Sequence, residues 1–222
     1  MGSRAVSTAP MGSRAVIVED HDAVIRGLEL VLGKAGIEVV GSARSEQEGY
    51  DVIRREKPGL AVVDIGLEHG SGLELARRLA RSEPDLGVLI YTGLHDQDLL
   101  REALDSGARG FALKSGPARE LMAAAVAVAG GGSYLDPHLT SPLLGTVPAK
   151  QVAALTPRER EVMTGLAKGL KGAQIAERLG ISSETVRTHI DNAMQKLEAR
   201  TRVHAIALAL YHGLIEITDS TY

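Results

Sequence analysis

Five short runs of apolar, mostly β-branched residues, at 15–18, 37–40, 60–63, 87–90 and 110–113, alternate with longer stretches of helical periodicity. Four of the five are almost wholly apolar, the pattern of strands covered on both faces rather than wetted on one. The intervening stretches, 22–35, 45–56, 71–82, 96–106 and 117–129, are amphipathic at helix spacing. Gly36 and Gly107 stand where helices would stop, and Pro58 and Pro84 fall in connections. Parallel neighbours need crossover helices, so five such units predict an α/β doubly wound five-stranded parallel sheet.

The pattern breaks at residues 130–150. Gly130, Gly131 and Gly132, then Pro137, Pro142 and Pro148, predict an interdomain linker. Beyond it the chain reads as all-helical. Thr156, Pro157 and Glu159 have the spacing of a capping box with proline at the first helical position. A short helix over 173–179, a turn at Gly180, a helix over 183–197 and a last one over 202–212 follow. The expected division is an extension at 1–13, an α/β domain at 14–131, a linker at 132–150 and a four-helix domain at 151–216. Residues 1–6 recur as 11–16, so the extension is read as disordered, with only the second copy leading into a strand.

The net charge of −3 is unevenly spread: residues 1–149 carry −5 and residues 150–222 carry +2. An acidic first part suits a metal site, and a mildly basic second part permits phosphate contacts. No cysteine is present, which excludes disulfides and thiolate metal sites. One Phe, five Tyr and no Trp leave little surface for stacking single-stranded nucleic acid. No apolar run approaches the ~20 residues of a membrane span, so no membrane association and a cytoplasmic location are expected.

In an open parallel sheet chemistry collects where the strands end. Here those ends carry Glu19 and Asp20, Asp64, Thr92 and Lys114. The spacings of 44, 28 and 22 residues are each one or two βα units, so all fall on one rim. A phosphoryl donor and an attacking carboxylate are both anionic, and a hard cation must offset them. Mg²⁺ favours one or two carboxylates with water and phosphoryl oxygens. Asp20 and Asp64 are the expected direct ligands, Glu19 a water-mediated one, and the Gly66 carbonyl a further oxygen. Asp64 is the candidate nucleophile and phosphoacceptor. Lys114 would offset phosphoryl charge and Thr92 would donate a hydroxyl. His21, His69 and His95 lie near this rim without metal-ligand spacing and are read as loop histidines.

The segments Val18-Glu19-Asp20-His21, Val62-Val63-Asp64-Ile65-Gly66-Leu67, Tyr91-Thr92-Gly93 and Leu113-Lys114-Ser115 resemble the signature segments of bacterial response-regulator receiver domains. The resemblance implies that Asp64 is phosphorylated by a sensor histidine kinase, that Thr92 shifts toward the phosphate, and that Phe111 changes rotamer with it. One departure stands out. Glu68-His69-Gly70-Ser71-Gly72 replaces the usual Pro and Met-Asp-Gly-like turn.

On the 183–197 helix, Val186, Ile190, Met194 and Leu197 share one face, while Glu184, Arg187, Thr188, Asp191 and Gln195 look largely the other way. Leu155-Thr156-Pro157-Arg158-Glu159-Arg160-Glu161-Val162, Gln174-Ile175-Ala176, Leu179-Gly180-Ile181-Ser182 and Thr185-Val186-Arg187-Thr188-His189-Ile190 resemble the LuxR-type helix-turn-helix. That resemblance implies a major-groove reader. It makes Arg187, Thr188 and Asp191 the base-facing candidates and Lys196 a phosphate contact. It also implies that Val203, Ile206, Ala207, Leu210 and Leu214 are partly core and partly a homodimer contact, matching a palindromic double-stranded site. Lys171 and Gly172 depart from the usual polar pair at the start of the motif.

The order of the two modules is that of the NarL/FixJ group of response regulators. The expected function is transcription control by phosphorylation, with no enzymatic role. The alternative is a regulator of the same fold controlled by a ligand or protein partner. A phosphatase using Asp64 fits poorly, because no Asp follows it at a suitable offset to act as general acid.

Overall fold

A computed structural model of the chain describes residues 9–93, 97–139 and 154–216. Residues 1–8 of the expected extension, His95, residues 140–150 of the expected linker and the first residues of the expected helical domain, 151–153, lie outside the described residues.

Strands β1 (Arg14–Val18), β2 (Glu38–Ala43), β3 (Leu60–Val63), β4 (Gly87–Thr92), β5 (Gly110–Leu113) and β6 (Tyr134–Leu135) form one parallel sheet in the order β2-β1-β3-β4-β5-β6. Between them run α1 (Asp22–Lys34), α2 (Glu46–Glu56), α3 (Gly72–Ser82), α4 (Gln97–Leu104) and α5 (Ala118–Ala129). Alternation along each strand feeds two cores. Val16, Val18, Ala61, Val63, Ile90 and Phe111 pack with residues of α2, α3 and α4 on one face. Ala15, Ile17, Leu60, Val62, Leu89 and Ala112 pack with α1 and α5 on the other. Both faces are therefore dry, as the apolar runs require.

The sheet has six strands where the sequence predicts five. β6 lies inside the expected linker, with Tyr134 beside Gly110 and Leu135 beside Phe111. Asp136, fully buried, accepts from the backbone N–H of Leu113 and of His138. Two residues between glycines and a proline carry no periodicity, and the strand forms because the free edge of β5 has unpaired donors to satisfy. The α/β domain thus runs at least to Leu139, also buried. At the other end the extension is tied down from Ala9, whose N–H reaches the Ala35 carbonyl.

The second unit comprises α6 (Pro157–Ala167), α7 (Gly172–Leu179), α8 (Ser183–Lys196) and α9 (Arg202–Tyr211). Thr156 accepts from the Glu159 N–H while the Glu159 carboxylate accepts from the Thr156 N–H, so the predicted capping box forms. Gly180 ends α7 at φ 63°, a left-handed conformation that costs glycine little and turns the chain into α8. Ser182 caps α8 by accepting from Thr185 N–H. Val186, Ile190 and Ala193 bury one face of α8, as does Leu197 just after it. Arg187, Thr188 and Asp191 are exposed on the other.

Candidate phosphoacceptor pocket and nucleic-acid interface

β1 has β2 on one side and β3 on the other, so the crossovers reverse direction there and the strand ends open a crevice. Val18 pairs with Val63, and the Asp64 N–H bonds the Val18 carbonyl at 2.9 Å. That register sets Glu19, Asp20 and Asp64 side by side. From β5, the Lys114 ammonium reaches in to 2.6 Å from Glu19 Oε2 and 3.0 Å from Asp64 Oδ2. Glu19 is 1 % exposed and Asp64 6 %. Burial disfavours the charged amine, yet the Glu19 and Asp64 carboxylates outweigh it and hold Lys114 above its ordinary value. Thr92 is buried at the end of β4, and its carbonyl accepts from the Lys114 N–H at 2.8 Å. Phe111 is wholly buried beside Ile90.

The altered turn after Asp64 shapes this pocket. The backbone N–H of Glu68 donates to Asp20 Oδ2 at 2.8 Å while the Glu68 side chain points to solvent. Burial works to raise the Asp20 pKa, but this N–H and the neighbouring His21 outweigh it and hold the carboxyl below its usual value. Gly70 packs against Glu46, whose carboxylate takes the Ser71 N–H, and Ser71 in turn caps α3. At Gly72 an added Cβ would sit 1.8 Å from the Asp64 carbonyl oxygen. Only glycine allows that approach. The start of α3 thereby braces the backbone of Asp64.

His21 is more than a loop histidine. Its Nδ1 lies 3.1 Å from Glu19 Oε1 and 2.6 Å from Asp20 Oδ1. The Glu19 and Asp20 carboxylates raise its pKa. Its position next to the acid pair is the only sequence signal for this contact. His69 instead contributes backbone, accepting the Glu46 N–H.

Four carboxylate or imidazole groups with one amine form an oxygen-rich, mainly anionic crevice. Glu19 and Asp64 are buried carboxylates with Asp20 and a single ammonium beside them, an excess of anionic oxygen that a cation would offset. The hard oxygen donors of Asp20, Asp64 and Glu19 fit Mg²⁺. Gly66 adjoins them, since a Cβ there would lie 3.8 Å from Asp64 Oδ2.

In the helical unit Arg187, Thr188 and Asp191 form one exposed face. Lys196 departs from expectation. Its ammonium bonds both Glu159 oxygens, at 2.9 and 2.7 Å. Glu159 is 3 % exposed, so the lysine neutralises a buried carboxylate and ties α8 to α6. Its ammonium is thus engaged in a contact within the domain. The partner is legible only as the last residue of the capping box. Lys171 likewise turns from solvent: its side chain lies against Gly130 of the α/β domain.

Residues 15–126 match the family model of the response regulator receiver domain, and residues 153–209 that of bacterial regulatory proteins of the luxR family. The chain is 31 % identical over 215 residues to the transcriptional regulatory protein LnrK of Bacillus subtilis (strain 168), covering 90 % of this chain and 98 % of that one. Among solved structures, the response regulator ChrA of a heme-sensing two-component system matches with 33 % identity and TM-score 0.53, over 92 % of this chain and all of ChrA. RcsB from Salmonella enterica serovar Typhimurium, bound to promoter rprA in the presence of phosphomimetic BeF3-, matches with 25 % identity and TM-score 0.54, over 89 % and 98 %.

Proposed function

Since this chain belongs to the two-component response regulators that join a receiver domain to a LuxR-type DNA-binding domain, we propose that phosphorylation of Asp64 is the switch that sets its affinity for DNA. The observation that carries this reading is the placement of the Lys114 ammonium 3.0 Å from Asp64 Oδ2, beside Glu19 and Asp20. A carboxylate oxygen of Asp64 attacks the phosphorus of a sensor kinase's phosphohistidine; the new P–O bond forms as the P–N bond breaks, and the imidazole leaves. Lys114 offsets charge on the phosphoryl oxygens, and Thr92 and Phe111 adjust to the product. Bound Mg²⁺, held by Asp20, Asp64 and the Gly66 carbonyl with Glu19 through water, would supply charge neutralisation for this transfer. Asp20 is fixed for the task by the Glu68 N–H, so the departure at 68–72 supports the pocket. It does not favour control by a ligand alone.

The exposed face of α8 reads the major groove, with Arg187 able to pair bidentately with guanine O6 and N7 and with Thr188 and Asp191 beside it. A homodimer would match a palindromic double-stranded site. Among the described residues no helix is long and apolar enough to cross a membrane, and a cytoplasmic site of action follows from the DNA target. The test is operator affinity at fixed salt with and without a small acyl-phosphate donor. Wild type should gain affinity about 5- to 150-fold and Asp64→Asn none. An equal gain in Asp64→Asn would overturn the assignment.

A further inference from the structure

The exposed face of α8 is short of positive charge. It presents Glu184, Arg187 and Asp191, two carboxylates against one guanidinium, a formal balance of −1. Lys196, the only other lysine or arginine of the helix, is spent on Glu159. Arg187 and Asp191 are one turn apart and oppositely charged, yet among the described residues neither has a hydrogen bond or ion pair. Both stand exposed on a helix fixed from its inner side by Val186, Ile190 and Ala193. Thr188, beside them, commits its hydroxyl proton to the Glu184 carbonyl at 3.1 Å, so it offers only an acceptor and a methyl group. The centre of the face therefore holds one donor fork, Arg187, and acceptors at Thr188 and Asp191. A carboxylate set against a duplex is repelled by the phosphates. It is tolerated there where a base edge gives it a proton donor.

We propose that Asp191 selects a cytosine in the operator through its N4 amino group, and that Asp191 and Arg187 together make a two-base code. This rests on the major-groove reading of α8 proposed above and names the base that one position requires. Two bases offer a donor in the major groove, cytosine at N4 and adenine at N6. Adenine sets its N7 acceptor beside N6, where it opposes a carboxylate; cytosine has no such acceptor on that edge. Thymine O4, or guanine O6 and N7, would set acceptor against acceptor and leave the carboxylate desolvated with no partner. Asp191 thus acts by excluding wrong bases, where Arg187 acts by attracting guanine. Four residues along α8 span about 6 Å, against about 3.4 Å per base step. The guanine and the cytosine therefore lie within about two steps of each other.

The test is selection of duplexes from a random pool by the whole chain at fixed salt, as wild type, Asp191→Asn and Asp191→Ala. Wild-type sites should share a cytosine whose replacement by any other base lowers affinity about 5- to 150-fold. With Asp191→Asn the same position should become adenine, which an amide pairs bidentately at N6 and N7. Asp191→Ala should lose the preference there, keep the guanine read by Arg187, and bind unrelated DNA more tightly for want of a repelled carboxylate. The same base preferences in all three pools, or a base other than cytosine at the wild-type position that changes, overturn the assignment. Asp191 is exposed and asparagine keeps its shape, so a folding defect in the alanine variant leaves the asparagine result decisive. If wild type selects no common site, the groove-reading role of α8 falls as well; a common site indifferent to residue 191 sinks the cytosine assignment alone. Running the selection with and without an acyl-phosphate donor shows a failed Asp64 switch separately, as equal affinity in the two runs.

Discussion

Replacing Lys196 with alanine separates a structural tie from a phosphate contact. Glu159 is 3 % exposed in the intact protein, and without Lys196 its carboxylate keeps the Thr156 N–H of its own capping box, at 2.8 Å, as donor. Breaking a fully buried ion pair costs about 3–5 kcal/mol. The Lys196 side chain is 31 % exposed, so water reaches one side and the expected loss falls to about 1.5–3 kcal/mol. For a domain the size of residues 154–216, each kcal/mol moves Tm by roughly 4–8 °C. The second transition in calorimetry of the whole chain should therefore drop by about 6–24 °C.

Acid sharpens the test. Burial works to raise the Glu159 pKa, but the Lys196 and Thr156 hydrogen bonds outweigh it and lower it. The folded value lies below the unfolded one, so this stabilisation is complete above the ordinary carboxylate value and is lost as pH falls through the folded value. Lys196→Ala should flatten that acid dependence. Operator binding in the cold, where the variant is folded, should keep its salt slope, whereas loss of a phosphate contact would reduce the slope by about 0.9. An unchanged Tm together with a slope lowered by that amount would refute the structural role.

Gly72→Ala should destabilise the receiver by about 3 kcal/mol or more, since its Cβ would meet backbone that cannot yield; a urea melt unchanged from wild type would remove α3's part in bracing Asp64. Arg187→Ala should cost about 1–3 kcal/mol at one base position of the operator and leave thermal stability within about 0.5 kcal/mol. Binding to a panel of single-base operator variants checks this, and a loss spread evenly over all sequences would reassign Arg187 to the phosphate backbone.

The alternation of buried strands and amphipathic helices was legible because burial on both faces leaves short runs of apolar, mostly β-branched side chains. The rim followed from it: Asp64, Lys114 and the acid pair need only strand ends and spacing to be found together. What pattern could not show were contacts made by backbone or by geometry. The Glu68 N–H on Asp20 is invisible in a residue whose carboxylate draws the eye. Lys196 looked like a free cation at the end of a recognition helix, because its partner lies 37 residues away on α6. His21 shares the rim with His69 and His95 without metal-ligand spacing, so spacing alone does not single out its contact with Glu19 and Asp20.

The short β6 also decides where the receiver can be cut. An excised domain ending at residue 131, where the glycine cluster invites a boundary, would leave β5 as a bare edge and strip the Leu113 N–H of the Asp136 carboxylate. An edge in that state templates strand addition from other molecules, on the very strand that delivers Lys114. Carrying the fragment through Leu139 keeps that flank closed, so aggregation of the shorter piece would report on its trimming and not on receiver chemistry.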